Sequence, residues 1–346
     1  MKILHVLSSS KLSGAENVAA DICMMFQGVH DMTYCSPDGE IKSALADRDV
    51  KFIALTKLNT TELKRSIEIC KPDIIHAHDV RATVLSVYVS GKIPVISHLH
   101  GNIEDMRKIG IKSILYMFAA KKLKKIIVVS ESCLDDYFFR KQIERKTICL
   151  TNIIYFRRIE RLIDKDPKEY NFDFMYIGRL CYPKNPQRVA KIASVVLRQC
   201  STTTFGVIGE GELKNEMETV FRKEGVSDRA TFTGQLAFPY KVLKQTKCIL
   251  MCSRFEGTPI AALEAMALGI PIVSTPVDGM VKLIDDGITG YLSDDDATLS
   301  DRVITVIKEE QLRAQLSKNA EDKIKKSMDI QKYCENLLKV YTEAVQ

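Results

Sequence analysis

The sequence predicts an α/β protein built from two doubly wound domains, each with a parallel sheet. Short apolar runs alternate with helical patterns along all 346 residues, which is typical of βαβ units. This length exceeds one ordinary domain, and a polar stretch separates the apolar runs into two series. We therefore expect a first domain at 1–156, a linker at 157–171, a second domain at 172–327 and a terminal helix at 328–346.

The expected strands fall into two consecutive series. The first series is 2–7, 51–55, 73–76, 94–97, 125–129 and 147–150, and the second is 173–177, 203–208, 231–232, 247–251, 271–274 and 290–292. Tyr333, Leu337, Leu338 and Tyr341 repeat at helical spacing, so the last helix should pack on a domain. Because ligands of such sheets bind at the carboxyl ends of the strands, two facing domains would place their site in the cleft between them.

Composition excludes several classes of protein. A hydrophobic content of 46% and a charged content of 27% are ordinary for a soluble globular chain. The first residues, MKILHVLSSS, resemble a strand rather than a secretion signal, and no apolar run is long enough to span a membrane. The ten cysteines lack zinc-type spacing, so we expect reduced thiols in a cytoplasmic protein.

Positive charge is concentrated in one segment. The net charge is +6, and from Arg107 to Lys125 there are seven basic residues and no acid, interleaved with Ile, Leu, Met and Phe. A basic amphipathic helix is a membrane-surface signal, and a solvated helix with one face in its own core is the alternative. Nucleic acid is disfavoured as a partner, because no aromatic stacking platform is interleaved with the basic residues.

The stretch 253–276, SRFEGTPIAALEAMALGIPIVSTP, contains the most informative pair of acids. Glu256 and Glu264 lie on either side of a loop-to-helix junction, with Thr258 expected as the N-cap and Pro259 as the first helical residue. The exposed N–H groups of a helix start suit a phosphate, and carboxylates suit sugar hydroxyls. The pattern indicates a nucleotide sugar, and a buried crossover with a surface pair of glutamates is the alternative.

Other turns add candidate phosphate contacts. Arg179 and Lys184 follow the first strand of the second domain, where a planar fork and a compact charge could neutralise a diphosphate without a metal. Two surface cations are the alternative. Gly14, in the first βα turn, and Glu210-Gly211, in a later one, could let backbone approach a ligand closely, although each signal is weak alone.

Four histidines occur at the ends of two expected strands, in HAHD and SHLHG. Strand alternation places His76 and His78 on one face of their strand, and His98 and His100 on one face of theirs. No nearby carboxylate cluster completes a metal site, so we expect hydrogen-bonded histidines and no metal. A histidine at a strand's carboxyl end could still donate to a sugar hydroxyl.

Together these segments resemble family 4 of the retaining glycosyltransferases, which share the GT-B fold. The strongest match is EGTPIAALEAMALGIPIVST, with its two glutamates separated by seven residues. The likeness covers most of the chain and is densest in 173–292. The other matching segments, found in the family's order, are SGAE, DIIHAHD, VISHLHG, VVSES, YIGRLCYPKN, VIGEGEL and DDGITGYL.

The resemblance implies a role for each candidate residue and implies no cofactor. Arg179 and Lys184 would bind the donor diphosphate, Glu264 would hold the ribose hydroxyls, Glu256 would position the donor sugar, and His100 would reach that sugar from the first domain. The further donor contacts that it implies are Gly14, Glu210, Gly211, Gly257, Thr258 and Pro259.

Two positions depart from the family pattern. An Asn-Gly turn is frequent near the interdomain connection, where this chain has Thr151-Asn152-Ile153-Ile154. A glutamate is frequent in the loop before DDGITGYL, where the matching position here is Lys282.

The resulting expectation is a retaining, metal-independent glycosyltransferase. It would move a sugar from a nucleoside diphosphate donor, with UDP chosen as the commonest, to a glycan or lipid-linked glycan in capsule or exopolysaccharide synthesis. We expect it in the cytoplasm, with a peripheral position on the inner membrane face. The alternatives are an isomerase like the nucleotide-sugar 2-epimerases and a catalytically silent nucleotide-sugar-binding subunit. A glycosidase acid pair is disfavoured, because two carboxylates alone do not define one.

Overall fold

The chain forms two compact units, each with its own parallel sheet. The computed structural model describes residues 1–101, 104–166 and 168–346. Unit 1 comprises Met1–Arg158 and Asp329–Gln346, and unit 2 comprises Ile159–Met328. The predicted α/β class with two doubly wound sheets is confirmed.

Unit 1 contains a seven-stranded sheet in the order β3-β2-β1-β4-β5-β6-β7, with every neighbouring pair parallel. This order, which reverses direction beside β1, is that of a doubly wound fold. The strands are β1 (Lys2–Val6), β2 (Asp31–Pro37), β3 (Lys51–Leu55), β4 (Ile74–Ala77), β5 (Val95–Leu99), β6 (Lys125–Val128) and β7 (Thr147–Cys149).

Helices cover this sheet. In chain order they are α1 (Gly14–Met25), α2 (Ile41–Ala46), α3 (Thr60–Cys70), α4 (Val80–Val89), α5 (Ile111–Ala120), α6 (Glu131–Asp135) and α7 (Arg140–Ile143). Two of these helices begin at a side-chain N-cap. Asn59 accepts from the backbone of Glu62 at the start of α3, and Asp79 accepts from Ala82 at the start of α4.

Strand β2 is the one strand of this sheet that the sequence pattern missed. Its residues, DMTYCSP, mix apolar and polar side chains without a regular period, although Thr33 and Ser36 are both buried. Without a continuous apolar run, nothing in the segment indicated a strand enclosed on both faces. The other expected strands of unit 1 each overlap an observed one.

Unit 2 contains a six-stranded parallel sheet in the order β10-β9-β8-β11-β12-β13. Its strands are β8 (Phe174–Ile177), β9 (Phe205–Ile208), β10 (Ala230–Gly234), β11 (Cys248–Met251), β12 (Ile272–Ser274) and β13 (Gly290–Leu292). Each overlaps an expected strand. These strands are short and mostly buried, as is usual for parallel sheets with helices on both faces.

The segment expected as a linker begins as a helix, α8 (Phe156–Leu162), which spans the boundary between the units. Ile159 and Leu162 are buried within it, but the surrounding charges concealed this periodicity. Arg158 is fully buried, and its Nε lies 2.7 Å from Oδ1 of Asp21 in α1. The start of the segment is therefore fixed to unit 1 rather than extended. Pro167, in the same segment, lies outside the described residues.

The remaining helices follow α8 along the chain. They are α9 (Pro186–Gln199), α10 (Lys214–Lys223), α11 (Tyr240–Gln245), α12 (Ile260–Ala267), α13 (Asp278–Leu283), α14 (Asp296–Lys308), α15 (Glu310–Ser327) and α16 (Ile330–Val345). Among the described residues, every helix is either too short or too polar to cross a lipid bilayer.

The terminal helix α16 belongs to unit 1. Tyr333, Leu337, Val340 and Tyr341 form its buried stripe, at the spacing of one helix face. Burying each large apolar side chain contributes about 1.5–3 kcal/mol. The Tyr341 hydroxyl also lies 2.9 Å from Nδ1 of His76 in β4, so the helix both packs on the unit and bonds to its sheet.

Candidate active site

Glu256 lies in the loop after β11 and is held by two neighbours. Its side chain is 7% exposed and forms an ion pair with Nζ of Lys184. The Ser253 hydroxyl donates to Oε1 of Glu256 at 2.7 Å. Charge-assisted bonds of this kind are stronger than neutral ones, and a buried carboxylate requires them. The carboxylate is therefore fixed in one position before any ligand binds.

The loops that carry this pair are tied together by Arg254. Its backbone N–H donates to the carbonyl of Pro183 at 2.8 Å, and its guanidinium donates to the carbonyl of Tyr182 at 2.5 Å. The same guanidinium lies 4.2 Å from the centroid of the Tyr182 ring. Lys184 ends the turn that begins at Tyr182, so these contacts set where its ammonium meets Glu256.

Arg179 lies on the same loop, at the carboxyl end of β8. Its carbonyl accepts a 2.8 Å hydrogen bond from the Tyr176 hydroxyl, which fixes the backbone, while the residue itself is exposed. The structure thus brings Lys184, but not Arg179, against Glu256. An exposed guanidinium on a fixed backbone remains available to a phosphate.

Helix α12 begins one residue later than the sequence predicted. Pro259 is its N-cap, with φ −74° and ψ 104°, and Ile260 is the first helical residue. Thr258 is therefore not the N-cap. Pro259 fixes φ near the helical value, but its ψ is extended. The first-turn N–H groups of α12 still point out of the helix start, at the end of the loop that holds Glu256.

Glu264 lies in the second turn of α12 and is 4% exposed. The Tyr240 hydroxyl of α11 lies 3.5 Å from its Oε1. Carboxylate oxygens accept hydrogen bonds, which is the role that a pair of vicinal hydroxyls, such as those of ribose, requires of a partner.

The glycine turns after β8 and β9 lie in direct backbone contact. Gly178 N–H donates to Ile208 at 3.0 Å, and Leu180 N–H donates to the carbonyl of Glu210 at 2.9 Å. A Cβ added at Gly211 would lie 2.3 Å from the carbonyl oxygen of Leu180. Such close approach of backbone leaves no room for a side chain at Gly211, which explains the glycine in the Gly-Glu-Gly turn. The Glu210 side chain lies 3.3 Å from Lys214 on the following helix.

Gly209→Ala is expected to destabilise unit 2 by about 2–6 kcal/mol, through backbone strain and overlap together. Gly209 has a φ of +139°, and its added Cβ would lie 2.0 Å from the carbonyl oxygen of Gly178. Gly287→Ala is the matched control, because Gly287 has a φ of +72° with nothing within 4 Å of an added Cβ. The control should lose only roughly 1–2 kcal/mol. Equal shifts in the urea midpoints of the two variants would contradict this reading.

Gly279 positions the Glu256 loop from the other side, a role the sequence analysis missed. Its N–H donates to the carbonyl of Glu256 at 3.1 Å. A Cβ there would lie 2.2 Å from the carbonyl oxygen of Gly257. Ser253 was also missed, although a hydroxyl three residues before a candidate carboxylate was visible in SRFEG.

The two departures from the family pattern have local explanations. Lys282 lies on α13, with its ammonium 3.2 Å from Asp278 one turn earlier, and it is largely exposed. Asn152 and Ile154 are buried in unit 1, so Thr151-Asn152-Ile153-Ile154 forms part of that unit's packing rather than an open turn.

Gly14 and His100, the remaining site candidates, belong to unit 1. Gly14 is the first residue of α1, after the extended N-cap Ser13. The Ser13 hydroxyl donates to the carboxylate of Glu16, which is buried. The SGAE segment is therefore a closed helix start with an internal hydrogen bond.

Five histidines, rather than the expected four, lie together on β1, β4 and the end of β5. His5 stands opposite His76 in the register of β1 and β4, which the sequence pattern could not show. The His98 and His100 rings stack with centroids 4.0 Å apart, and the His76 and His78 rings at 4.2 Å. These five residues form the histidine cluster.

A directional chain of hydrogen bonds links three of these rings. His5 Nε2 lies 3.4 Å from the sulfur of Met32, His5 Nδ1 lies 2.9 Å from His78 Nε2, and His78 Nδ1 lies 2.9 Å from His100 Nε2. Because a thioether only accepts, each ring must carry its proton on Nε2. His100 Nδ1 is also buried. Nε2 of His100 is therefore used within unit 1, and the contact of His100 with a donor sugar stays a prediction.

Burial keeps the histidine cluster neutral. It lowers the pKa of His5 and of His100 to about 3, and the pKa of His76, His78 and His98 well below the ordinary value.

Two overlapping triads in the histidine cluster have nitrogens within 4.8 Å of one another. They are His5-His76-His78 and His78-His98-His100. Within the described ranges no carboxylate or thiolate joins either triad. The bonds from Met32 to His100 already use both nitrogens of His78, so we interpret the cluster as hydrogen-bonded core. The absence of a metal stays a prediction.

Comparison with known families identifies the chain. Residues 12–151 match the family described as Glycosyltransferase Family 4, and residues 159–323 match Glycosyl transferases group 1. The protein belongs to the family 4 glycosyltransferases, as the signature around Glu256 and Glu264 indicated.

The chain matches its relatives over different shares of their length. A UDP-Gal:alpha-D-GlcNAc-diphosphoundecaprenol alpha-1,3-galactosyltransferase of Escherichia coli is 23% identical over 100% of this chain and 97% of its own. An uncharacterized glycosyltransferase of Methanocaldococcus jannaschii is 26% identical over 62% of this chain and 58% of its own. The match thus spans less than two thirds of the archaeal protein.

Solved structures show the same GT-B fold. Anabaena HepE in complex with UDP-glucose has a TM-score of 0.80 and 18% identity, covering 99% of each chain. A sucrose-phosphate synthase from Thermosynechococcus elongatus has a TM-score of 0.76 and 12% identity, covering 99% of this chain and 98% of its own. At this identity the likeness shows the fold alone.

Proposed function

We propose that this protein is a retaining glycosyltransferase that uses a UDP-sugar. The observation that carries the proposal is the buried Glu256 carboxylate, held by Lys184 and Ser253 beside the start of α12. A fixed carboxylate, a cation and outward-pointing N–H groups together complement a sugar joined to a diphosphate. Support for UDP comes from HepE, whose structure contains UDP-glucose, and from the E. coli relative, which is named for UDP-Gal.

The proposed transfer needs no side-chain base and no metal. The acceptor hydroxyl attacks the anomeric carbon on the face that the diphosphate leaves. The new bond from the acceptor oxygen to that carbon forms as the bond to the phosphate oxygen breaks. The leaving phosphate oxygen takes the acceptor proton, so charge and atoms balance. Arg179, Lys184 and the start of α12 stabilise the negative charge that develops on the diphosphate.

The other residues hold the donor in place. Glu256 aligns the sugar while positive character develops at its anomeric carbon, and Glu264 accepts from the ribose hydroxyls. Gly257, Thr258 and Pro259 supply backbone around the sugar. Glu210 and Gly211 lie near the nucleotide.

Two donor contacts are proposed from unit 1. Gly14 contributes backbone at the start of α1. His100 is the second contact; its Nε2 lies 2.9 Å from Nδ1 of His78, and its buried Nδ1 is the nitrogen that a sugar hydroxyl could reach.

The proposed acceptor is a hydroxyl of a glycan or lipid-linked glycan in cell-surface polysaccharide synthesis, such as capsule or exopolysaccharide. The E. coli relative supports this choice, since its name describes a diphosphoundecaprenol-linked sugar as its substrate. An enzyme acting on such a lipid would work in the cytoplasm, at the inner face of the membrane.

A transfer assay tests the proposal. The full chain is incubated with a panel of UDP-sugars and diphosphoundecaprenol-linked acceptors, and NMR reports the anomeric configuration of the product. We expect release of UDP with retained configuration, unchanged by EDTA. Inversion, or a rate abolished by EDTA and restored by a divalent cation, would overturn the mechanism. An epimerised donor would indicate the isomerase, and binding of UDP without turnover on any acceptor would indicate the silent subunit.

A further inference from the structure

Helix α5 has apolar side chains on two opposite faces. Tyr116, Ala119 and Ala120 are buried in the core of unit 1. Ile111 and Phe118 point outward and are 80% and 55% exposed, and Leu115 between them is 47% exposed. The spacing of these three residues, i, i+4 and i+7, forms one continuous stripe along the helix. The alternative, a solvated helix whose one apolar face packs on its own core, would not have this second, exposed apolar stripe.

The stripe extends beyond the helix at its N-terminal end. Ile109, two residues before α5, is 63% exposed, and Phe138 is 52% exposed. The backbone N–H of Phe138 donates to the carbonyl of Met106 at 2.9 Å, which holds the two segments side by side. Arg107 and residues 135–142 line a shallow hollow there. We call Ile109, Ile111, Leu115, Phe118 and Phe138 the apolar stripe.

Basic side chains surround the apolar stripe. Lys121, Lys122 and Lys124 are exposed at the end of α5. Within the part of the chain that the structure describes, no carboxylate forms an ion pair with any of these three lysines. At the other end, Lys112 and Arg107 pair with Asp105 and Asp136 at 2.5 and 2.6 Å. The available positive charge is therefore concentrated at one end of the stripe.

An anionic bilayer fits both features of this surface. Exposed apolar patches on soluble proteins mark interaction sites, and a helix with outward Ile, Leu and Phe beside lysines binds at the headgroup level. Lys121 Nζ already lies 5.1 Å from the centroid of the Phe118 ring, so the charge and the apolar surface are adjacent. Acidic headgroups complement the lysines, whereas an acidic protein partner would leave the isoleucines without an apolar environment.

We propose that the apolar stripe inserts into the headgroup region of an anionic bilayer, while Lys121, Lys122 and Lys124 contact lipid phosphates. This proposal rests on the proposed function in one respect, because a lipid-linked acceptor gives the contact its purpose. The apolar stripe belongs to unit 1, whereas Lys184, Glu256 and Glu264 belong to unit 2.

Vesicle flotation of the full chain tests the proposal. Phosphatidylcholine vesicles, alone or mixed with phosphatidylglycerol, are the probes. We expect flotation only with phosphatidylglycerol, and we expect it to weaken as salt rises. Each lysine near the surface contributes about fivefold to partitioning, so Lys121→Ser/Lys122→Ser should bind roughly 25-fold less. Ile111→Ser/Phe118→Ser should also lose binding at low salt.

The matched control is Lys64→Ser/Ile69→Ser on α3, where both residues are exposed in the same unit. This control should float like the wild type. Equal loss in the control, retained flotation of both α5 variants, or binding independent of lipid charge would each overturn the proposal.

UDP release with a soluble acceptor analogue separates docking from catalysis. The α5 variants should keep this activity if only docking is impaired. If the wild type floats with the vesicles but releases no UDP, the proposed function is refuted and the docking proposal is not.

Discussion

Lys184→Ala is expected to lower kcat by about 10²-fold or more, with Arg179→Ala having an effect of the same order. Both cations lie on the loop after β8, and Lys184 is held against Glu256 by the contacts of Arg254 with Tyr182 and Pro183. The charge they stabilise develops only as the diphosphate leaves, so the loss should appear in kcat more than in KM.

Two controls separate this role from a structural one. Lys191→Ala removes an exposed lysine from α9 in the same unit and should leave kcat unchanged. Because removing Lys184 leaves the buried Glu256 without its cation, urea unfolding should be measured for each variant. Near-normal kcat in both Lys184→Ala and Arg179→Ala, with the chain folded, would exclude these residues from the chemistry.

Acidification from pH 7 to 5.5 is expected to cost unit 1 several kcal/mol of stability. Burial holds the pKa of His5 and of His100 at about 3, whereas an unfolded histidine titrates near 6.5. Below pH 6.5 the unfolded chain therefore binds protons that the folded chain does not. The contribution of the neutral histidines to the free energy of unfolding is fully present well above pH 6.5 and is lost as the pH falls toward 3. Relative to neutral pH, the loss is about 1.4 kcal/mol per histidine at pH 5.5.

All five members of the histidine cluster share the direction of this shift, so the losses add. His5 and His100 alone account for about 3 kcal/mol at pH 5.5. Hydrogen exchange of the amides in β4 and β5, followed from pH 7 to 5.5 with EDTA present, measures the effect locally. This local probe matters because the two units need not unfold together.

The variant His98→Gln tests whether the buried histidines cause the pH dependence of stability. Within the described residues neither ring nitrogen of His98 has a hydrogen-bond partner, so the substitution removes a titrating group without breaking the chain from Met32 to His100. The pH dependence should become shallower in this variant. His30→Gln, outside the cluster, removes a histidine whose pKa is also lowered by burial but which is only partly buried, so it should change the slope less than His98→Gln. Stability that is flat between pH 7 and 5.5 would contradict the account.

Much of the fold was predictable because parallel strands with both faces covered are continuous apolar runs. Strands β8, β9 and β11 of unit 2 were found this way, whereas β2 was missed because buried Thr33 and Ser36 interrupt its pattern. The helical start of the expected linker was not foreseen, because its buried Arg158 is charged. Its partner Asp21 is far away in the sequence, so only the folded chain shows why that charge is buried.

The candidate site was predictable as residue types but not as contacts. Glu256 and Lys184 were predicted from two separate segments 72 positions apart, and their ion pair depends on Arg254 joining the two loops. His5 was missed because only the register of β1 with β4 places it opposite His76. The bond between His78 and His100 belongs to that same cluster.

The central claim is that unit 2 binds a nucleoside diphosphate through these loops. Calorimetric titration of UDP into the full chain, the wild type beside Arg179→Ala, Glu264→Gln and Lys191→Ala, tests it most directly. We predict one UDP per wild-type chain, a Kd raised about tenfold or more in the first two variants by the loss of charge-assisted bonds, and an unchanged Kd in Lys191→Ala. Absence of UDP binding to the wild type, or the same Kd in all four proteins, would contradict it.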